Sequence, residues 1–129
     1  MAEPVAGAVY YVRDRDLTLP PNDDRQYHDE RRPVLIISGP ETNSDVTWGF
    51  VLVAPISSST SHKTRFCVRL GAGAANLPKK GWIRVSAVQP LMKSQLGDRT
   101  GIVTADQLAE VHARLLQYMG LTDEDEPPI

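Results

Sequence analysis

The sequence predicts a small, mainly β, α+β domain: a barrel-like set of about five to six short strands closed by a C-terminal helix. Three observations carry this. Short apolar or alternating runs recur at Val5–Val12, Pro33–Ser38, Phe50–Ile56, Arg65–Leu70 and Trp82–Val88. Proline, glycine, asparagine and aspartate cluster between them. Helical spacing of apolar residues appears last, at Leu108, Val111, Leu115 and Met119. With 129 residues the chain has material for one core, and residues 1–121 are expected to form one domain.

Taken in order, Val5–Val12 reads as the first strand. Arg13–Arg31 is long, charged and broken by Pro20 and Pro21, so it reads as a loop, and loops of that length are usually functional or mobile. Pro33–Ser38 and Phe50–Ile56 are near-continuous apolar strands, linked by turns around Gly39-Pro40 and Asn43-Ser44-Asp45. In Arg65–Leu70, Cys67 shares a face with Arg65 and Arg69, opposite Phe66 and Val68. Trp82–Val88 makes a fifth strand with Ile83, Val85 and Ala87 on one face. Leu91–Leu96 reads as a short helical turn and Ile102-Val103 as a short strand. Thr104 then caps the helix, with Gln107 in the capping-box position, and Gly120 stops it.

Composition bounds the function. No apolar run approaches the roughly 18–20 residues that span a bilayer, and no secretory leader is evident. A cytoplasmic protein is expected. Cys67 is the only cysteine, which excludes an intrachain disulfide and, lacking a nearby base, reads as a passive strand residue. The formal charge is −2, but Asp123, Glu124, Asp125 and Glu126 sit together near the C-terminus. Without them 14 basic residues face 12 acidic ones, a balance of about +2 that permits an RNA partner. Residues 122–129 are expected to be an acidic, disordered tail.

Chemistry gathers at two strand ends. Glu30-Arg31-Arg32-Pro33 opens one apolar run, and Ile56-Ser57-Ser58-Ser59 closes the next. Pro33 suits a first strand position and biases Arg32 toward extended backbone. If the two strands are antiparallel neighbours, a guanidinium and a hydroxyl cluster lie side by side, an arrangement suited to phosphate.

These segments resemble the PemK/MazF/Kid family, the endoribonuclease toxins of bacterial toxin–antitoxin pairs. The likeness runs from Gly7 to Leu121. Gly7-Ala8-Val9-Tyr10-Tyr11-Val12 is similar to the family's opening strand, Glu30-Arg31-Arg32-Pro33 with Val34–Ser38 to its second, and Ala54-Pro55-Ile56-Ser57-Ser58 to the end of its third. Val88-Gln89-Pro90-Leu91 and the helix ending Tyr118-Met119-Gly120-Leu121 follow in the same order.

The resemblance implies an SH3-like, CcdB-like barrel, a homodimer, a cognate antitoxin that binds DNA together with the toxin, and metal-independent cleavage of single-stranded mRNA by 2′-OH attack. No cofactor is expected. Arg32 and Ser57 match the family's active-site arginine and threonine, and His28 and Glu30 are the candidate proton carriers. Residues read as ordinary structure would instead make Arg32 a surface partner of Asp29 or Glu30, and Ser57 a strand-end turn residue. Arg31, Ser58, Lys63, Arg84 and Gln89 are the expected RNA contacts, and Tyr27, Trp48 and Trp82 are available for stacking on bases. One departure matters. The family's acid before the glutamine is replaced by Val88, so the base must be His28, Glu30 or another group, and Arg84 matches the family's arginine only with an insertion. The competing expectation is a binding-only relative of the same fold, either a degraded regulator or a gyrase poison similar to CcdB. Against the latter, no tryptophan follows Trp82. No metal site is expected: His28, His62 and His112 are far apart, and Gly71-Ala72-Gly73 lacks the Lys-Ser/Thr step of a phosphate loop.

Overall fold

The computed structural model describes residues 3–20 and 25–122. The strands are β1 (Ala8–Arg13), β2 (Arg31–Ile36), β3 (Phe50–Ser57), β4 (Val68–Leu70), β5 (Gly81–Ile83), β6 (Gln89–Met92) and β7 (Arg99–Ile102). The helices are a short α1 (Pro40–Ser44) and the terminal α2 (Ala105–Tyr118). All pairings are antiparallel, in the order β4-β5-β3-β2-β1-β7, with β6 also paired to β3. The result is the curled, mainly β sheet with a C-terminal helix that the sequence predicts.

β2 and β3 are apolar on consecutive residues because both their faces are covered. Leu35, Ile37, Ala54 and Ile56 join one core with Val9, Ile83 and, from α2, Val111. Val34, Ile36, Val51 and Val53 join the other with Val12, Leu17 and Leu91. A strand buried on one face only would have alternated. Leu108 and Leu115 pack on the first core as their spacing predicts, whereas Met119, at the helix C-cap, is half exposed.

Several local expectations are corrected. The fifth strand is not continuous: β5 ends at Ile83, a 3-10 turn spans Val85–Ala87, and β6 begins at Gln89. Both segments lie along β3, pairing Ile56 with Ile83 and Val53 with Gln89. Between those pairs β3 advances three residues while its partner advances six, so the Arg84–Val88 segment bulges out. Leu91 therefore belongs to a strand, and the expected helical turn shrinks to Lys93–Gln95. Cys67 sits in the turn before β4 rather than within it. The turn after Ser38 contains α1, whose C-terminal carbonyls at Thr42 and Asp45 accept from Lys93 Nζ at 3.0 and 2.9 Å. At α2, Thr104 and Gln107 form the predicted capping box. Gly120, at φ +76°, closes the helix. Apart from Thr122, the expected tail lies outside the described residues.

Candidate active site

The antiparallel register settles the strand-end geometry. Val34 pairs with Pro55, and continuing that register by two residues sets Arg32 opposite Ser57. The two groups read from the sequence as a possible phosphate seat therefore share one edge of the sheet. There they border a cavity of about 290 Å³, lined also by Arg25, His28, His62 and Arg84 above Leu17 and Ile56.

The buried anchor of this edge is Asp14, which sequence reading passed over. It follows β1 in a 3-10 turn, and its side chain is fully buried. Its carboxylate accepts Nε of Arg32 at 2.9 Å, the His28 backbone N–H at 2.8 Å and both Nη groups of Arg25. Arg25 also reaches the Asp14 carbonyl at 3.0 Å. Burial by itself pushes the Asp14 carboxyl up, but the His28 N–H and the two guanidinia together hold it below its ordinary 3.8. Arg32 is thus not the surface partner of Asp29 or Glu30. With Nε committed, its two terminal amino groups have no partner among the described residues, and its side chain stays 36% exposed beside the cavity. Nothing in the motif Arg13-Asp14-Arg15-Asp16 distinguishes the acid that turns inward from the one that pairs with Arg13 at the surface.

The opposite wall is built by Arg84. The bulge after β5 carries it under the β3–β4 loop, where its Nη2 donates to Ser57 Oγ at 3.2 Å, Ser59 O at 3.4 Å and Ser61 O at 2.6 Å. Arg84 is 92% buried and its Nε has no partner among the described residues. Ser57 Oγ also accepts the Ser59 N–H at 3.1 Å. With both lone pairs used, the hydroxyl keeps its own proton free to donate to a ligand.

The predicted residues divide accordingly. Arg32, Ser57, His28 and Arg84 come together at the cavity. Glu30 and Arg31 are exposed and do not line it. Ser58, on the other side of the chain from Ser57, borders a second hollow with Thr60, Arg69, Lys80 and Trp82. Lys63 covers the Trp82 ring, 3.7 Å from its centroid. Gln89 is a strut: its amide bonds both the N–H and the carbonyl of Thr18, at 2.9 and 3.0 Å, pinning the loop after β1. Tyr27 and Trp48 are exposed, and Arg25 lies over the Tyr27 ring. Val88 packs against the core, not the cavity. His62 and Arg25 are further lining residues that sequence reading did not place there. No cluster of metal-ligating side chains occurs among the described residues, nor does a helix long and apolar enough to cross a membrane.

Solved structures share this architecture. An endoribonuclease in complex with its cognate antitoxin, from a mycobacterial species, is 21% identical with a TM-score of 0.68, over 95% of this chain and 98% of that one. MazE–MazF (Form-II) from Deinococcus radiodurans is 22% identical with a TM-score of 0.68, over 95% and 100%. MazF (Form-I) from the same organism is 25% identical with a TM-score of 0.65, over 93% and 99%. No match was found among curated protein sequences. The profile of one family, described as PemK-like, MazF-like toxin of type II toxin-antitoxin system, matches residues 9–119. That span is most of the chain and includes Asp14, Arg32, Ser57 and Arg84, so the chain belongs to the PemK-like, MazF-like toxins of type II toxin–antitoxin systems.

Proposed function

We propose that this toxin cuts single-stranded mRNA without a metal. The RNA 2′-OH attacks the adjacent phosphorus, the P–O5′ bond breaks, and the products carry a 2′,3′-cyclic phosphate and a free 5′-OH. The observation that carries the reading is the convergence of Arg32, Ser57 and Arg84 on one cavity. The open amino groups of Arg32 would grip the non-bridging oxygens, and the Ser57 hydroxyl would donate a further hydrogen bond. Arg84 adds fixed positive charge beside them. Preorganised donors of this kind are worth about 2.7–4 kcal/mol each to a transition state. His28 is assigned as the base that takes the 2′-OH proton, in preference to Glu30, because His28 lines the cavity and Glu30 does not.

One mycobacterial relative was solved in complex with its cognate antitoxin and one Deinococcus relative as MazE–MazF, which supports a small antitoxin as this chain's partner; DNA binding by the pair is proposed with it. A homodimer is proposed as well. Apolar surface for such contacts exists at Trp48, Phe50 and Met92, and on α2 at Leu116, Tyr118 and Met119.

One observation favours a second reading, a binding-only member of the family: among the described residues no carboxylate lines the cavity. Incubating purified, antitoxin-free protein with mixed-sequence RNA in EDTA, then mapping the ends, separates the two. Cyclic-phosphate ends in EDTA support cleavage as described. Cutting only when a divalent ion is added contradicts the metal-free mechanism, and binding without any cutting favours the second reading.

A further inference from the structure

Cleavage by 2′-OH attack moves two protons, one off the nucleophile and one onto the leaving 5′-oxygen. The cavity offers few groups able to do this near neutral pH. Arginine does not deprotonate in proteins, and serine has no acidity in that range. Asp14 lies beneath the cavity, saturated by two guanidinia and a backbone N–H, and is held ionised. Among the described lining residues, that leaves His28 and His62.

They enter from different segments. His28 comes from the loop leading into β2, its backbone tied to Asp14, which also holds Arg32. His62 comes from the loop leaving β3, directly after Ser61, whose carbonyl Arg84 grips at 2.6 Å. His62 adopts φ +61°, a left-handed backbone uncommon for a residue with a Cβ and frequent at functional sites. Both histidines border the same cavity as the Arg32 and Ser57 phosphate seat, and they reach it from separate segments. An in-line displacement needs its base and its acid on different sides of the phosphorus.

Resting on the nuclease reading above, we propose that His62 is the general acid paired with His28. His28 accepts the 2′-OH proton as the O2′–P bond forms, and protonated His62 gives its proton to O5′ as the P–O5′ bond breaks. Each turnover leaves His28 protonated and His62 neutral, and water exchanges the proton back. This pair takes over the role left empty where Val88 replaces the family's acid.

The test uses the full chain and a short RNA containing a mapped cut site, prepared with an ordinary 5′-oxygen or a bridging 5′-sulfur at the scissile phosphate. A thiolate leaves without protonation, so only the acid becomes dispensable. His62→Asn is the variant of choice, because asparagine also tolerates the left-handed backbone. On the oxygen substrate it should lose roughly 10²–10⁴-fold. On the sulfur substrate it should stay within a few-fold of wild type, while His28→Ala remains slow on both. His62→Asn cutting the oxygen substrate at the wild-type rate, or failing equally on both, overturns the assignment. A wild type that cuts neither substrate overturns the nuclease reading itself, and this proposal with it.

Discussion

Arg32 approaches the cavity with its Nε already bonded to the buried carboxylate of Asp14 at 2.9 Å, so only its terminal amino groups are presented outward. The same carboxylate fixes Arg25 and the backbone of His28. One acid at the end of β1 thus orients three groups along the cavity, and its removal should be felt in both stability and rate.

Asp14→Ala leaves the Arg25 guanidinium, 92% buried, without its counter-ion. Losing one partner of a buried pair typically costs about 3–5 kcal/mol. Urea unfolding should show a loss of that size, and the variant should cut RNA slowly under conditions where it is still folded. Full stability in Asp14→Ala would mean the clamp does not exist in solution.

The depressed carboxyl of Asp14 sets an acid limit. A group whose folded pKa lies below its unfolded one contributes stability that is complete above the unfolded value and lost as pH falls through the folded one. Asp14 should therefore leave the melting temperature unaffected from neutrality down to about pH 5 and lower it progressively as pH falls through its ordinary 3.8 and below. Asp14→Asn, less stable at pH 7, should lose part of its deficit relative to wild type as pH drops through that window. A deficit that stays constant to pH 2 contradicts the assignment.

Arg84 serves the site by tying down the Ser57–Ser61 loop. Arg84→Lys keeps the charge, but its ammonium ends one bond short of where Nη2 meets the serine hydroxyl and the two carbonyls. Hydrogen exchange at residues 58–63 should speed up while the β2–β3 core stays protected, and cleavage should fall by at least tenfold. Unchanged exchange in that loop would separate Arg84 from it.

Val88→Asp should not create a catalytic carboxylate. Val88 packs against the core cluster that includes Val85 and Ile83. An acid there is partly desolvated, and we expect a loss of about 1–3 kcal/mol without any gain in cleavage. Increased cleavage by a stable Val88→Asp protein would show that this position faces the substrate after all.

How far the sequence spoke depends on how local the signal was. The continuous apolar runs of β2 and β3 and the capping box of α2 are local, and each appears where its pattern places it, whereas Pro33, expected at a first strand position, is the third residue of β2 and pairs with Tyr11. The meeting of Arg32 with Ser57 was legible because an antiparallel pair joins the start of one strand to the end of the next. Asp14 was not legible, since burial of one aspartate in an alternating Arg-Asp repeat depends on cations 11 and 18 residues away. The break between β5 and β6 was hidden for a similar reason: Ile83, Val85 and Ala87 alternate like a strand, but β3 cannot accommodate six partner residues against three. Lys63 and Gln89 carry the right chemistry for RNA, yet Trp82 and Thr18 already occupy them.

The most direct test of the account is single-turnover cleavage in EDTA of a mapped RNA site by Arg32→Ala, compared with wild type and with Arg32→Lys. The account predicts a folded Arg32→Ala protein that is slower by roughly 10²–10³-fold. Lysine should recover only part of that loss, because a point charge cannot span two phosphate oxygens. Wild-type cleavage by folded Arg32→Ala would contradict the account.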